Sequence, residues 1–171
     1  METFFTSDTH FGHGNIIRSC NRPFENSYFM DEALIANWNA IVTPRDVVYH
    51  LGDFAILRGN VQWKRNRIIE LSERLNGRIN IILGNHDRMS ILQSGRFESI
   101  VPMMDLKMDK RNIMLCHYAM RVWNKCHYGS WHLFGHSHGN LPGHNLSFDV
   151  GVDCWDYAPV SFGQVEKKMA E

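Results

Sequence analysis

Residues 79–87 read Ile79-Asn80-Ile81-Ile82-Leu83-Gly84-Asn85-His86-Asp87, a short apolar run that breaks at a glycine into a polar cluster. A run of this length and β-branched content, bounded by glycine, is the pattern of a buried strand. The same punctuation recurs along the chain. Phe4-Phe5-Thr6 leads to Ser7-Asp8-Thr9-His10, and Val47-Val48-Tyr49-His50-Leu51 leads to Gly52-Asp53. Ile113-Met114-Leu115-Cys116 leads to His117, and Trp131-His132-Leu133-Phe134 leads to Gly135-His136-Ser137-His138. In open α/β sheets, ligands bind in the crevice beyond the carboxyl ends of the strands. Five strand ends that each present a metal-capable side chain therefore predict one site at one edge.

Helical spacing occupies the intervals. Asp31 to Ile41 places Leu34, Ile35, Trp38 and Ile41 on one stripe closed by Pro44, and Val61 to Leu75 carries a second stripe ending near Gly77. Strand alternating with helix predicts an α/β layered fold. The second half is richer in strands, expected at Met103 to Met108, Asn112 to Cys116, Trp131 to Phe134, Leu146 to Val150 and Val160 to Val165. Their short connections predict a second sheet, partly antiparallel. With 171 residues and no repeat or linker, a single domain over 1–171 is expected.

Composition narrows the class without naming a partner. An apolar fraction of 44% and a charged fraction of 21% are ordinary for a soluble globular protein, and a net charge of zero offers no basic field for nucleic acid. No stretch approaches the roughly 18 apolar residues of a membrane helix, and Met1-Glu2-Thr3-Phe4-Phe5 lacks the regions of a signal peptide. A cytoplasmic protein with no membrane partner is expected. Cys20, Cys116, Cys126 and Cys154 are scattered, which reads as reduced and structural. Histidine is the unusual count, ten in 171, several beside Gly, Asp or Asn.

Each polar cluster alone is commonplace as a turn or a cap. Together Asp8, His10, Asp53, Asn85, His117, His136 and His138 form a ligand set suited to Mn²⁺, Fe or Zn²⁺, with more members than one ion needs. Two ions sharing a carboxylate account for the number. In these motifs the chain resembles the calcineurin-like metallophosphoesterases. The family's ordered motifs appear here as Asp8-Thr9-His10, Gly52-Asp53, Gly84-Asn85-His86-Asp87, His117 and Gly135-His136-Ser137-His138, spanning most of the chain.

The resemblance implies a four-layer α/β/β/α sandwich and two divalent metal ions, Mn²⁺ foremost, with Fe, Zn²⁺ or Ni²⁺ as alternatives. It further implies that Asp8, His10 and His138 hold one ion and that Asn85, His117 and His136 hold the other. Asp53 would bridge both. Two cations about 3.5 to 4 Å apart can stabilise an in-line transition state and lower the pKa of a bridging water, so that hydroxide is the nucleophile. A carboxylate suits the bridge because it offers two oxygens and offsets charge. The resemblance makes His86 the general acid that protonates the departing alkoxide, a task suited to imidazole at neutral pH. In part of the family an Asp shortly after the Gly-Asp motif orients this histidine. Here Phe54-Ala55-Ile56-Leu57-Arg58-Gly59 supplies none.

Other residues keep two readings. Asp87 either orients His86 or caps a following helix. His13 either touches the substrate phosphate or a neighbouring ligand, or is a plain loop residue. Arg22, Arg58 and Arg88 are phosphate clamps or solvated surface charges. Asp149 and Asp153 either support His136 or His138 from behind, or serve a turn.

The leading functional class is a phosphodiesterase or phosphomonoesterase acting on a small or exposed ester. A nuclease of the same fold is disfavoured by the neutral charge. A non-catalytic interaction module is disfavoured by His86, because a scaffold has no need of a free acid beside two metals.

Overall fold

Neighbouring residues on a strand face opposite sides of a sheet, and Phe4 and Phe5 lie in two different cores, one on each side. The computed structural model describes residues 1–87 and 89–171. Its elements are β1 (Thr3–Thr6), α1 (Gly14–Ser19), α2 (Ser27–Ile41), β2 (Val47–His50), α3 (Val61–Arg74), β3 (Arg78–Ile82) and α4 (Met89–Leu92). The later half adds β4 (Ser99–Val101), β5 (Met103–Met108), β6 (Arg111–Cys116), β7 (Trp131–Phe134), β8 (Ser147–Asp149), β9 (Val160–Ser161) and α5 (Phe162–Met169).

One sheet has the order β4-β3-β2-β1-β9 and the other β5-β6-β7-β8. Strands β1 to β4 run parallel with β9 antiparallel, while β6, β7 and β8 run parallel with β5 antiparallel. The result is an α/β fold of two mixed sheets flanked by helices, and the antiparallel part of the second sheet is its β5–β6 pair. The first core joins Phe4, Val48, Ile79 and Ile81 to Leu34, Ile35 and Trp38 of α2, Ile68 and Leu71 of α3, and Ile91 of α4. The second lies between the sheets, where Phe5, Leu51 and Ile82 meet Ile113, Leu115, Trp131 and Leu133. Strands buried on both faces read as continuous apolar runs, which is why the sequence shows them so clearly. On the far face of the second sheet, His132 packs against Trp123, donates to the Met114 carbonyl through Nδ1 and accepts from the Met120 amide through Nε2.

The structure departs from the sequence reading at the ends of elements. Helix α2 begins at Ser27 and not Asp31, because Asn26 accepts from the Tyr28 and Phe29 amides as an N-cap. The strand expected over Val160 to Val165 is a strand only at Val160–Ser161. There Ser161 and Gln164 form a capping box and start α5, whose Phe162 and Val165 join the inter-sheet core with Met169 packed beside them. Helices α1 and α4 and strand β4 are too short for periodicity to find.

Asp46 sets where β2 starts beside β1. Its carboxylate accepts from the Glu2 amide at 2.7 Å, the Thr43 amide at 2.8 Å and the Thr43 hydroxyl at 2.7 Å. These bonds to the charged form, the Glu2 amide first, hold its pKa at about 2 against an ordinary 3.8. A depressed carboxyl contributes stability that is complete above the unfolded value and is lost as pH falls through the folded one. Asp46→Asn should therefore lower thermal stability at pH 7, and the difference from the parent should shrink as pH falls from 4 towards about 2. A deficit that stays constant over that range would contradict the account.

Candidate metal centre

Because β1, β2 and β3 are parallel in one sheet and β6 and β7 in the other, all five polar clusters leave at one edge. There the loops are stitched to one another. The Asp8 amide donates to Gly52 O at 3.0 Å, His10 to Asp53 O at 3.0 Å, Gly135 to His117 O at 3.0 Å and Val152 to Ser7 O at 3.0 Å. The His136 amide donates to Asp8 Oδ2 at 2.8 Å, across the seam between the sheets.

This stitching holds a costly backbone. Asp8, His10, Asp53, His136 and His138 all have positive φ, at 59°, 51°, 56°, 68° and 48°. Such left-handed residues cost on the order of 1 to 3 kcal/mol each and persist only where the surroundings over-determine them. In each x-His pair the middle residue is anchored by its hydroxyl. Thr9 Oγ1 donates to Phe54 O at 2.8 Å and meets His50 Nε2 at 2.9 Å, while Ser137 Oγ donates to Asp149 Oδ2 at 2.8 Å. Since the Thr9 proton goes to Phe54, His50 donates from Nε2, and burial keeps His50 neutral, with its pKa lowered to about 3.

Two groups of His and Asp donor atoms result, beside a third of Cys20, His138 and Asp153. Asp8, His10 and His138 form one and Asp53, His117 and His136 the other, the atoms within each lying within 4.8 Å of one another. His10 Nε2 is 3.7 Å from Asp8 Oδ1 and 3.6 Å from Asp53 Oδ2, His117 Nε2 is 3.6 Å from Asp53 Oδ2, and His138 Nε2 is 3.9 Å from Asp8 Oδ1. Asn85 Oδ1 stands 3.0 Å from His117 Nε2. The tautomers follow from the far side of each ring. His117 Nδ1 must donate to Leu51 O at 2.7 Å, and His138 Nδ1 to Asp153 Oδ2 at 2.7 Å, so both Nε2 lone pairs face the carboxylates.

Lone pairs facing carboxylate oxygens repel unless a cation lies between them. Asp8 Oδ1 and His10 Nε2 are moreover buried without a hydrogen-bond partner among the described residues. Donor atoms that share a metal with bonds of about 2.1 Å sit roughly 3 to 4 Å apart, so the residues present fit divalent ions. Asp53, Asp8, His10 and His117 are buried, while Asn85, His86 and His136 are exposed, so the cluster has one open face.

The remaining candidates fall differently. His86 ties its amide to Asp53 Oδ1 at 2.8 Å and places its ring 5.8 Å from that of His10. The Asp87 carboxylate accepts from the Asp53, Phe54 and Gly84 amides at 2.9, 3.1 and 2.8 Å, and among the described residues it bonds neither the His86 ring nor an amide of α4. It fastens the two ligand loops together. His13 sits with Nδ1 3.3 Å from His10 Nδ1, and burial, then His10 and His86, lower it to about 4. Arg22 is no phosphate clamp, because its guanidinium is buried and spent inside the protein. Arg58 is exposed, and Arg88 lies outside the described residues. Asp153 stands behind His138, and Asp149 braces Ser137 and the Gly139 amide. Sequence reasoning missed His50 as a support, although its alternation with Val48 on β2 already turned it inward.

The calcineurin-like phosphoesterase family model matches residues 1–152. The chain belongs to that family. An uncharacterized protein of Methanocaldococcus jannaschii is 34% identical over 171 residues, which cover 96% of this chain and 89% of that protein. The crystal structure of a protein of unknown function from Aquifex aeolicus shares the fold with a TM-score of 0.77 at 23% identity, covering 98% of each chain. Membership implies divalent metal ions, for which the two His/Asp groups are the candidate places. Among the described residues no helix is long and apolar enough to cross a membrane, and all four cysteines are free.

Glycine is required where backbone passes against the carboxylates. A Cβ at Gly135 would fall on Ser7 Oγ and Asp8 Oδ2, and one at Gly84 on Asp53 Oδ1. Gly135→Ala should displace Asp8, costing about 1 to 3 kcal/mol of stability and weakening Mn²⁺ binding in calorimetry. Parental stability and metal affinity in that variant would show that the approach is not tight.

Proposed function

We propose that the chain is a two-metal phosphoesterase in which Asp8, His10 and His138 hold one ion, Asn85, His117 and His136 hold the other, and Asp53 touches both. One observation carries this reading. Asp53 Oδ2 is 3.6 Å from His10 Nε2 in the first group and 3.6 Å from His117 Nε2 in the second, which supports one oxygen serving both. Two divalent ions, Mn²⁺ foremost with Fe, Zn²⁺ or Ni²⁺ as alternatives, would supply charge to the phosphoryl transition state and lower the pKa of the attacking water.

The chain's own residues do the rest. Asp53 would offset charge between the ions, and it fixes the loop of His86 through the amide bond to Oδ1. The exposed imidazole of His86, at the edge of the open face, holds the proton given to the leaving oxygen. That backbone tie fixes where the His86 loop runs, while the neighbouring Asp87 carboxylate is engaged with three amides. Buried His50 and Thr9 keep the Asp8 to His10 turn from relaxing.

The open face and zero net charge support a small or exposed phosphate ester, monoester or diester, over nucleic acid as substrate. The reading includes a cytoplasmic setting, supported by the four free cysteines.

Two variants test it. Asp53→Asn should lose both ions together and with them turnover, and near-parental turnover would remove the bridge. His86→Ala should keep both ions while turnover on alkyl phosphate esters falls by about 10² to 10⁴. The loss should be much smaller on nitrophenyl esters, whose leaving group needs little protonation. Equal losses on both substrate types would make His86 a ligand or a support, and no loss on any phosphate ester would favour a non-catalytic module.

A further inference from the structure

Arg22 lies in a loop with no ligand motif, yet its guanidinium is fully buried. Its Nε and Nη2 donate to Asp153 Oδ1 and Oδ2, both at 2.8 Å, as a two-pronged pair. Nη2 also donates to the Asp8 carbonyl at 2.7 Å and Nη1 to the Thr9 carbonyl at 3.1 Å. Asp153 Oδ2 in turn accepts from His138 Nδ1 at 2.7 Å.

One cation thus reaches two of the three donors in the first group. Left-handed Asp8 turns its carbonyl inward, and so does the turn through Thr9. A buried carbonyl left unpaired is costly, and Arg22 satisfies both. The parallel fork fixes the plane of Asp153, and Asp153 fixes the tautomer of His138 so that its Nε2 lone pair faces Asp8. In the other group His117 is braced by the Leu51 carbonyl and Asp53 by the His86 amide, with neither Arg22 nor Asp153 involved, and the His136 amide reaches across to Asp8 Oδ2.

We infer that Arg22 and Asp153 are positioning residues for one of the two metal sites, pre-forming the Asp8, His10 and His138 half and acting on the other half only through the backbone bonds that join them. This rests on the two-ion reading above. Groups behind a metal ligand typically alter affinity 10- to 100-fold, by roughly that order here as well.

The test is Mn²⁺ calorimetry on the whole chain, with anomalous diffraction to locate each ion. Arg22→Met/Asp153→Asn removes both buried charges together, and Arg22→Lys keeps the charge but loses the fork. In the double variant the ion among Asp8, His10 and His138 should bind about 10- to 100-fold more weakly, with the other ion little changed. Arg22→Lys should show a smaller loss at the same site, and it decides the matter if the double variant does not fold. Equal weakening of both ions, or unchanged affinity, overturns the assignment of Arg22 while leaving two metals in place. A parent chain that binds one ion overturns the two-ion reading itself, and the selectivity with it.

Discussion

Two carboxylates buried at one seam, Asp8 at 0% and Asp53 at 2% exposure, are the constraint around which the rest is arranged. Charge withdrawn from water is costly unless it is paired. Here the nearest imidazole nitrogens stand 3.6 to 3.9 Å away, too far for hydrogen bonds, and those of His117 and His138 turn lone pairs forward. The protein therefore holds an arrangement that is unfavourable by itself and that cations would relieve. Collapse is prevented from behind. Leu51 O and Asp153 hold rings back, Asp87 ties the Gly84 and Asp53 loops, and Thr9 and Ser137 anchor the middles of the two turns.

The fold makes this possible by delivering both sheets to one edge. A single sheet would present ligands along a line, whereas the Phe5, Leu51 and Ile82 face packed on Ile113, Leu115 and Leu133 brings the ends of β6 and β7 opposite those of β1, β2 and β3. Five left-handed non-glycine residues in the same cluster are strain of the kind that collects at functional sites. The inter-sheet core and the cross-loop hydrogen bonds are what offset it.

Much of this was legible in the sequence because its causes are local. The strands at Phe4, Val47, Ile79, Ile113 and Trp131 are buried on both faces and so read as apolar runs, and each polar cluster directly follows its strand. What escaped has non-local or very short-range causes. Arg22 finds Asp153 across 131 residues, a separation no spacing rule spans. Asp87 reads as an orienter of His86 or an N-cap because the amides it holds, those of Asp53 and Phe54, come from another strand end. The start of α5 reads as strand because Val160, Phe162 and Val165 suit either period over so few residues, and the Ser161 and Gln164 box decides for helix.

The central claim is that one carboxylate oxygen serves two ions. Anomalous scattering from crystals saturated with Mn²⁺ tests it most directly. Two peaks are predicted, one among Asp8, His10 and His138 and one among Asn85, His117 and His136, each in contact with Asp53. A single peak under saturation, or two peaks of which only one touches Asp53, would contradict it.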